Sequence, residues 1–299
     1  MGDHFNFNIK EFDMSKVGDG RVIIFIGKRN SGKSVLAVDY LYHNQDIPVG
    51  TCISATDEFN QTYKGKVPDM FIHEEYSAEL IEKFVHRQQW LTRKKKNKSA
   101  PDWEDYRDVD NRAFLIFDDL AFDSNTWVKD KNVKFIFMNG RHVGITFLIT
   151  MQYMLGIPPS LRTNVDYIFI CCENKNTMKK KLYDHYAGMF PDYNMFSQVL
   201  AECTKDFGCL VIDNVTKSGK LEDQVFWYRA DISKHGNFQL CDDSFWISQP
   251  RNEIIEDKED DVPQYNPKYT KYTSSKPNYS VSRLKNQDSR DDDGYNYYY

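Results

Sequence analysis

The chain has 299 residues, 40% of them hydrophobic, which is enough for one large α/β domain with a sizeable core. Its formal net charge of −5 excludes a generally basic nucleic-acid binder, so any DNA contact must come from local patches or from an assembly that concentrates them. No apolar run approaches about 18 residues and the N-terminus has no signal-peptide core, so we expect a soluble intracellular protein without a transmembrane segment. The six cysteines form no C-x-x-C pair and are expected to be reduced core residues.

Apolar strand-like segments alternate with helical patterns along most of the chain. In order, the pattern predicts strand Val22–Ile26, helix Lys33–His43, strand Thr51–Ala55, a short apolar segment Met70–His73, helix Ala78–Lys96, strand Ala113–Phe117, helix Asn132–Arg141, strand Ile145–Thr150, strand Tyr167–Cys172, helix Thr177–Ala187, helix Tyr193–Ala201, and a hairpin of Cys209–Ile212 with Val225–Tyr228. This alternation predicts an α/β fold with a mostly parallel sheet, helices on both faces and a C-terminal β-hairpin.

Composition divides the chain into three parts. Residues 1–20 are predicted to be an N-terminal extension, residues 21–248 the compact domain, and residues 249–299 a tail. The tail has few aliphatic residues, an acidic cluster at 256–261 and a tyrosine-rich end, so it cannot bury enough apolar surface to order itself. We expect this acidic, Tyr-rich tail to be disordered.

A phosphate-binding pattern, G-x-x-x-x-G-K-[ST], lies between the first predicted strand and the first predicted helix. Its glycines allow a tight turn whose N–H groups point at an anion beside the helix N-terminus. Lys33 is expected to contact the β- and γ-phosphates of ATP, and the Ser34 hydroxyl to ligate Mg²⁺. The nucleotide-binding segment consists of Gly27, Lys28, Arg29, Asn30, Ser31, Gly32, Lys33 and Ser34.

Polar side chains follow two predicted core strands. Asp118 and Asp119 end the strand that begins at Ala113, which is the Walker B position of P-loop enzymes. Asp118 is expected to hold the Mg²⁺ shell, and Asp119 to act as general base on the attacking water. Gln152 follows the strand that begins at Ile145, and it is expected to sense the γ-phosphate or orient water.

Other basic residues are candidates for contacts with phosphate. Arg141 and Arg162 flank the strand Ile145–Thr150 in loop-like segments, and either could neutralise charge on the transferred phosphoryl group from a neighbouring subunit. Residue spacing alone does not separate the two. The runs Arg93–Lys98 and Lys179–Lys181 could meet a phosphate backbone or could be solvated helix ends.

These motifs, with the segments 140–146, 150–153 and 161–167, resemble the genome-packaging ATPases of large DNA viruses. That family includes the poxvirus packaging ATPase and belongs to the FtsK–HerA group of DNA pumps. The resemblance covers roughly residues 20–215 and implies a RecA-like P-loop domain with an additional strand between the Walker A and Walker B strands. It also implies that Asp119 is the catalytic acid, Gln152 the strand-end glutamine and Arg141 the arginine finger.

The resemblance implies partners as well. It predicts a homo-oligomeric ring that drives double-stranded DNA, without sequence preference, into a preformed capsid, together with capsid or inner-membrane virion proteins as partners. The expected location is the host-cell cytoplasm, at the virus factory, and the virion.

The residues alone imply only a Mg²⁺-dependent NTPase, and they leave two other functions open. One is a P-loop phosphotransferase similar to a nucleoside kinase, although no clear phosphoacceptor lid is visible in the sequence. The other is a nucleotide switch without a motor, which the polar residues at the strand ends disfavour.

Overall fold

One nine-stranded sheet runs through the residues described by this computed structural model, which are 8–120, 124–153 and 155–247, with only the backbone of residues 124 and 125. The strands are β1 (Lys10–Glu11), β2 (Val22–Ile26), β3 (Gly50–Ser54), β4 (Ile72–His73), β5 (Ala113–Asp118), β6 (Ile145–Met151), β7 (Tyr167–Ile170), β8 (Cys209–Asp213) and β9 (Val225–Tyr228). Their order across the sheet is β1-β9-β8-β7-β2-β6-β5-β3-β4. Neighbours are parallel except in the pairs β7–β8 and β8–β9. The predicted α/β class, parallel core and C-terminal hairpin are confirmed.

The helices lie between these strands. They are α1 (Lys33–His43), α2 (Asp57–Asn60), α3 (Ala78–Lys96), α4 (Trp103–Tyr106), α5 (Ser124–Trp127), α6 (Lys131–Asn139), α7 (Pro159–Arg162), α8 (Asn176–Tyr186), α9 (Tyr193–Cys203) and α10 (Asp243–Ile247). The five long helices form where the periodicity predicts them, and Ser77, Asp130 and Asp192 cap three of them by accepting from backbone N–H groups. Within the described residues, no helix is long and apolar enough to cross a membrane.

Apolar side chains cover both faces of the sheet. Along β2, Ile23 and Phe25 point to one face while Ile24 and Ile26 point to the other, as the two-residue period of a strand requires. The first face packs against α1 and is called the α1 face; the second packs against α3, α6, α8 and α9. Because both faces are covered, the central strands read as continuous apolar runs.

The α1 face is completed by chain from both ends of the described region. Met14 and Val17 near the start, and Phe238 and Leu240 near the end, are buried in the same cluster as α1. The buried carboxylate of Asp39, on α1, accepts a hydrogen bond from the Tyr228 hydroxyl, and its Oδ1 lies 2.6 Å from His235 Nε2. One helix therefore depends on segments far away in sequence for its packing.

The first strand was not predicted. Lys10 and Glu11 form β1, which pairs with β9 at the sheet edge, and both side chains are exposed, so the sequence carries no alternating apolar signal there. The following residue, Phe12, is buried and packs edge-on against Tyr167 and Phe169 at 5.6 Å between ring centroids. These residues fall in the predicted N-terminal extension, whereas the predicted tail at 249–299 lies outside the described residues.

The central strand order brings the strand ends together. β6 lies between β2 and β5, which confirms the additional strand that the resemblance implies. In the ladder, Phe25 is paired with Thr150, Thr150 with Asp118, and Asp118 with Ser54. The carboxyl ends of β2, β6, β5 and β3 therefore meet at one edge of the sheet, where ligands bind in open α/β folds.

Gly144→Ala is expected to lower the free energy of unfolding by at least about 2 kcal/mol. Gly144 has φ 75°, and an added Cβ would lie 2.4 Å from the backbone oxygen of Asn111, so alanine brings both left-handed strain and a clash with backbone. The matched control is Gly219→Ala, because no atom lies within 4 Å of the added Cβ there. Urea denaturation measures both; an equal loss in the two variants would contradict the prediction.

Candidate active site

The segment Gly27–Ser34 forms a tight turn between β2 and α1. Asn30 and Gly32 have left-handed φ values of 58° and 93°, and Gly32 is the N-cap of α1. A Cβ on Gly27 would lie 2.4 Å from Ser31 Oγ and 2.7 Å from Cys171 Cβ, so this position requires glycine. Gly32 has no side chain to cap α1. The positive end of the α1 helix dipole is therefore available to an anion.

The lysine of the motif is folded into this turn. Lys33 is only 7% exposed, and its Nζ donates to the backbone oxygen of Lys28 at 3.0 Å. The loop thus encloses a buried ammonium group beside the helix N-terminus. Phosphate oxygens are acceptors of the same kind as the carbonyl that Lys33 now uses.

Three hydroxyl groups from three elements converge on Asp118. Thr150, at the end of β6, donates to Oδ1 at 2.6 Å; Ser34, in the first turn of α1, donates to Oδ1 at 3.1 Å; Ser54, at the end of β3, donates to Oδ2 at 3.3 Å. Burial raises the pKa of Asp118, and these donors, Thr150 above all, act against that shift. The carboxylate is 1% exposed and is held in one orientation.

Asp119 lies just beyond β5 and its backbone is strained. Its φ is 54°, its N–H donates to Thr150 Oγ1 at 2.9 Å, and its Oδ2 accepts from Gln152 Nε2 at 2.5 Å. Its second oxygen, Oδ1, is buried and has no hydrogen-bond partner among the described residues. Such strain and an unused buried acceptor are typical of residues that act on a ligand.

The structure brings most of the predicted site residues to one edge of the sheet. The loop 27–34, Asp118, Asp119 and Gln152 are connected through Ser34 and Thr150 by the contacts above. Asp119 and Gln152, which were predicted separately, are joined by a direct hydrogen bond.

The two candidate arginines lie elsewhere. Arg141 is exposed in the turn 140–143 that precedes β6, so the length of that strand, about 20 Å, separates it from the P-loop of its own chain. It lines a cleft of about 390 Å³ together with Arg21 and the residues 163–166 that follow Arg162. The Arg162 guanidinium lies over the ring of Tyr186, 5.5 Å from its centroid.

The basic runs are also outside this edge contact network. Lys94 pairs with Asp102, and Lys95 donates to the Val109 backbone oxygen, both at the far end of α3. On α8, Lys180 pairs with Asp184 at 3.0 Å.

Sequence reasoning missed the residues that hold Asp118. Ser54 and Thr150 are ordinary hydroxyl residues at strand ends, and only the strand order places them on either side of β5. Tyr63 was missed as well: it is fully buried, and burial followed by the charge of Asp118 raises the pKa of its hydroxyl well above the usual value. The available signal was a hydroxyl residue at the end of each of two apolar strands, Ser54 in β3 and Thr150 in β6.

The comparisons with known proteins place the chain among virus proteins. No protein-family model matches it. Protein L437 of Acanthamoeba polyphaga mimivirus is 41% identical over 224 residues, which cover 75% of this chain and 78% of that protein. The chain belongs to the family of L437. Protein 075L of Invertebrate iridescent virus 6 is 32% identical over 241 residues, covering 77% of this chain and 88% of its own length.

Two solved structures are similar to this chain at lower sequence identity. The genome packaging NTPase B204 from Sulfolobus turreted icosahedral virus 2 matches 72% of this chain and all of its own chain, at 13% identity and a TM-score of 0.48. The cytoplasmic domain of the Type VII secretion ATPase EccC of Thermomonospora curvata matches 71% of this chain and 26% of its own, at 12% identity and a TM-score of 0.43. Similarity of this degree assigns no activity.

Asp118→Asn is expected to raise the free energy of unfolding at pH 8 in the absence of nucleotide and divalent metal. The folded-state pKa of Asp118 is raised, so its stabilising contribution is complete only below its unfolded pKa of about 4 and is lost as the pH rises through the folded pKa. Asparagine removes the buried charge, so the gain should be absent at pH 4 and grow towards pH 8. Urea denaturation across this range measures it.

Asp110→Asn is the control with the opposite sign. Partial burial acts against the shift, but hydrogen bonds from Arg112 hold the pKa of Asp110 below its usual value. This variant should therefore lose stability at pH 8 and recover it towards acid pH. A loss of stability at pH 8 for Asp118→Asn would contradict the prediction that the buried charge of Asp118 lowers the free energy of unfolding at that pH.

Proposed function

We propose that this protein is a Mg²⁺-dependent ATPase that translocates double-stranded viral DNA into the capsid during virion assembly. The observation that carries the hydrolytic part is the hydrogen bond between Gln152 and Asp119 at the same sheet edge as the P-loop. A carboxylate with one unused oxygen, oriented by an amide beside a phosphate-binding loop, is suited to activating water.

The P-loop binds the nucleotide. Backbone N–H groups of residues 27–34 and the dipole of α1 hold the phosphates, and Lys33 exchanges the Lys28 carbonyl for phosphate oxygens. The hydroxyl of Ser34 and the carboxylate of Asp118, 3.1 Å apart, are hard oxygen donors of the kind that Mg²⁺ prefers. When bound, Mg²⁺ neutralises charge on the β- and γ-phosphates.

Asp119 and Gln152 act on the attacking water. Asp119 accepts a proton from the water as the water oxygen bonds to the γ-phosphorus and the bond to the bridging oxygen breaks. ADP and inorganic phosphate form, and Asp119 returns its proton to solvent. Gln152 orients Asp119 and can turn its amide towards the γ-phosphate. This division favours hydrolysis over transfer to a small acceptor, because a kinase must keep water away from the γ-phosphorus.

The DNA part of the proposal rests on two supports. One is membership of a family of virus proteins. The other is the resemblance of segments 140–146, 150–153 and 161–167 to packaging ATPases. In the proposed setting the chain forms a homo-oligomeric ring at the virus factory in the host cytoplasm and on the virion, with capsid or inner-membrane proteins as partners. Residues 21–248 form the ATPase domain, flanked by the extension 1–20 and the tail 249–299.

Phosphate release from ATP is expected to be stimulated by double-stranded DNA. Lys33→Ala should abolish release, because the loop loses the buried ammonium group that is proposed to contact the β- and γ-phosphates, while Asp119→Asn should keep ATP binding and slow hydrolysis by at least about a hundredfold. A malachite-green or coupled-enzyme assay with and without DNA measures this. Wild-type turnover in Lys33→Ala would exclude the P-loop assignment. A rate of hydrolysis that is the same with and without DNA would exclude the DNA motor and leave the nucleotide switch or the kinase as the function.

Arg141 is proposed to complete the site of a neighbouring subunit, since β6 separates it from the P-loop of its own chain. Arg141→Ala should bind ATP normally but hydrolyse it about a thousandfold or more slowly. Mixed with Lys33→Ala, it should regain activity, because some interfaces then pair an intact P-loop with an intact arginine. No recovery in rings verified as mixed would exclude Arg141, and Arg162 tested in the same way is the alternative.

A further inference from the structure

Helix α3 carries a row of cations along its outward side. Its inward side is formed by Ile81, Phe84, Val85, Gln88, Leu91 and Thr92, which are all buried. Six residues outside this buried side are named here the α3 stripe: Lys83, Arg87, Trp90, Arg93, Lys94 and Lys96. Glu79, Glu82, His86 and Gln89 also lie outside the buried side. At 1.5 Å per residue the stripe is about 20 Å long.

Three of the five cations in the stripe have no acidic partner among the described residues. Lys83 pairs with Glu79 at 2.7 Å, and Lys94 pairs with Asp102. Arg87, Arg93 and Lys96 are exposed and make no ion pair with any described residue. The helix dipole stabilises cations only in the last turn, so it does not account for Arg87. Arg93 and Lys96 are three residues apart, the spacing at which like charges on a helix repel each other, and a polyanion would relieve that repulsion.

An aromatic side chain lies in the middle of the stripe. Trp90 is 44% exposed, and Tyr106 packs edge-on against it at 5.1 Å between centroids. The Lys94 ammonium lies 5.7 Å from the Trp90 ring centroid and 5.4 Å from that of Tyr106. The indole N–H of Trp103 donates to the Lys95 backbone oxygen at 2.9 Å, which fixes α4 against the end of α3. The cations and the exposed ring therefore sit on a preorganised platform.

We propose that the α3 stripe binds the phosphate backbone of a nucleic acid without sequence preference. Unpaired cations spaced along about 20 Å, with an exposed aromatic ring among them, match the features of sequence-neutral nucleic-acid surfaces. The exposed acids that follow, Glu104, Asp105 and Asp108, belong to α4 and the turn after it rather than to the stripe. This inference rests on the proposed function and adds the surface through which the DNA would be held.

The surface is separate from the nucleotide edge. Helix α3 runs from β4 to β5 and is followed by the start of β5, so its basic end lies towards the opposite edge of the parallel sheet. Substitutions in the stripe therefore leave the P-loop, Asp118 and Asp119 unchanged. Basal ATP hydrolysis then reports on folding independently of DNA binding.

The test compares two triple variants that remove the same charge. One is Arg87→Gln with Arg93→Gln and Lys96→Gln in the stripe; the control is Lys179→Gln with Lys180→Gln and Lys181→Gln on α8. Fluorescence anisotropy of the full chain with a labelled DNA duplex, and with a single strand of the same length, is measured over a range of salt concentrations. Basal ATPase activity is measured in parallel.

The stripe variant should lose at least about tenfold in affinity, and the slope of log K against log salt should fall in magnitude by about 3. The control should stay within about twofold of wild type, and both variants should keep basal ATPase activity. Arg87→Lys with Arg93→Lys keeps the charge and should keep the slope. A loss confined to the duplex or to the single strand identifies which form the stripe binds.

Equal affinity of the stripe variant and wild type, or equal losses in the two triple variants, would overturn the inference. In either case DNA-stimulated hydrolysis by the wild type would leave the proposed function standing. A wild-type chain that hydrolyses ATP but binds neither DNA would overturn both the stripe and the motor.

Discussion

The hydroxyl of Thr150 makes two hydrogen bonds on which the geometry of the candidate site depends. It donates to the carboxylate of Asp118 and accepts from the backbone N–H of Asp119, so one side chain on β6 positions the last residue of β5 and the acid that follows it. The contact exists because β6 lies beside β5 in a register that pairs Thr150 with Asp118. A shift of one residue in that register would turn Thr150 to the other face of the sheet.

That register is maintained by apolar packing rather than by the site. Strands β2, β5 and β6 are buried along their full length, and rings such as Phe117 and Phe147 meet edge-on at 4.9 Å. The interior can therefore support costs at the strand ends: a buried carboxylate with a raised pKa at Asp118 and a left-handed backbone at Asp119. Sites that bind charged ligands commonly oppose stability in this way.

The sequence predicted the long elements because they carry strong local signals. The P-loop, the helix Ala78–Lys96 and the apolar strands could be located from glycine spacing and periodicity alone. Features that depend on strand order could not be located in this way. Ser54 and Thr150 were therefore missed, and the positions of Arg141 and Arg162 relative to the site could not be predicted. β1 was missed for a different reason, since its polar residues are ordered by pairing with β9, more than 200 residues later in the sequence.

The closing of the α1 face by segments from both ends of the described region has a consequence for synthesis. The helix that follows the P-loop buries its apolar side against Met14 and Val17, but also against Phe238 and Leu240, and its Asp39 is joined to Tyr228 and His235. A ribosome-bound chain that has emerged only as far as β7 has β2, α1, Met14 and Val17, yet lacks Phe238, Leu240 and the partners of Asp39. The P-loop is thus synthesised before the segments that cover the helix following it. In an interrupted chain part of the apolar side of α1 would remain exposed, and such a surface is prone to aggregation.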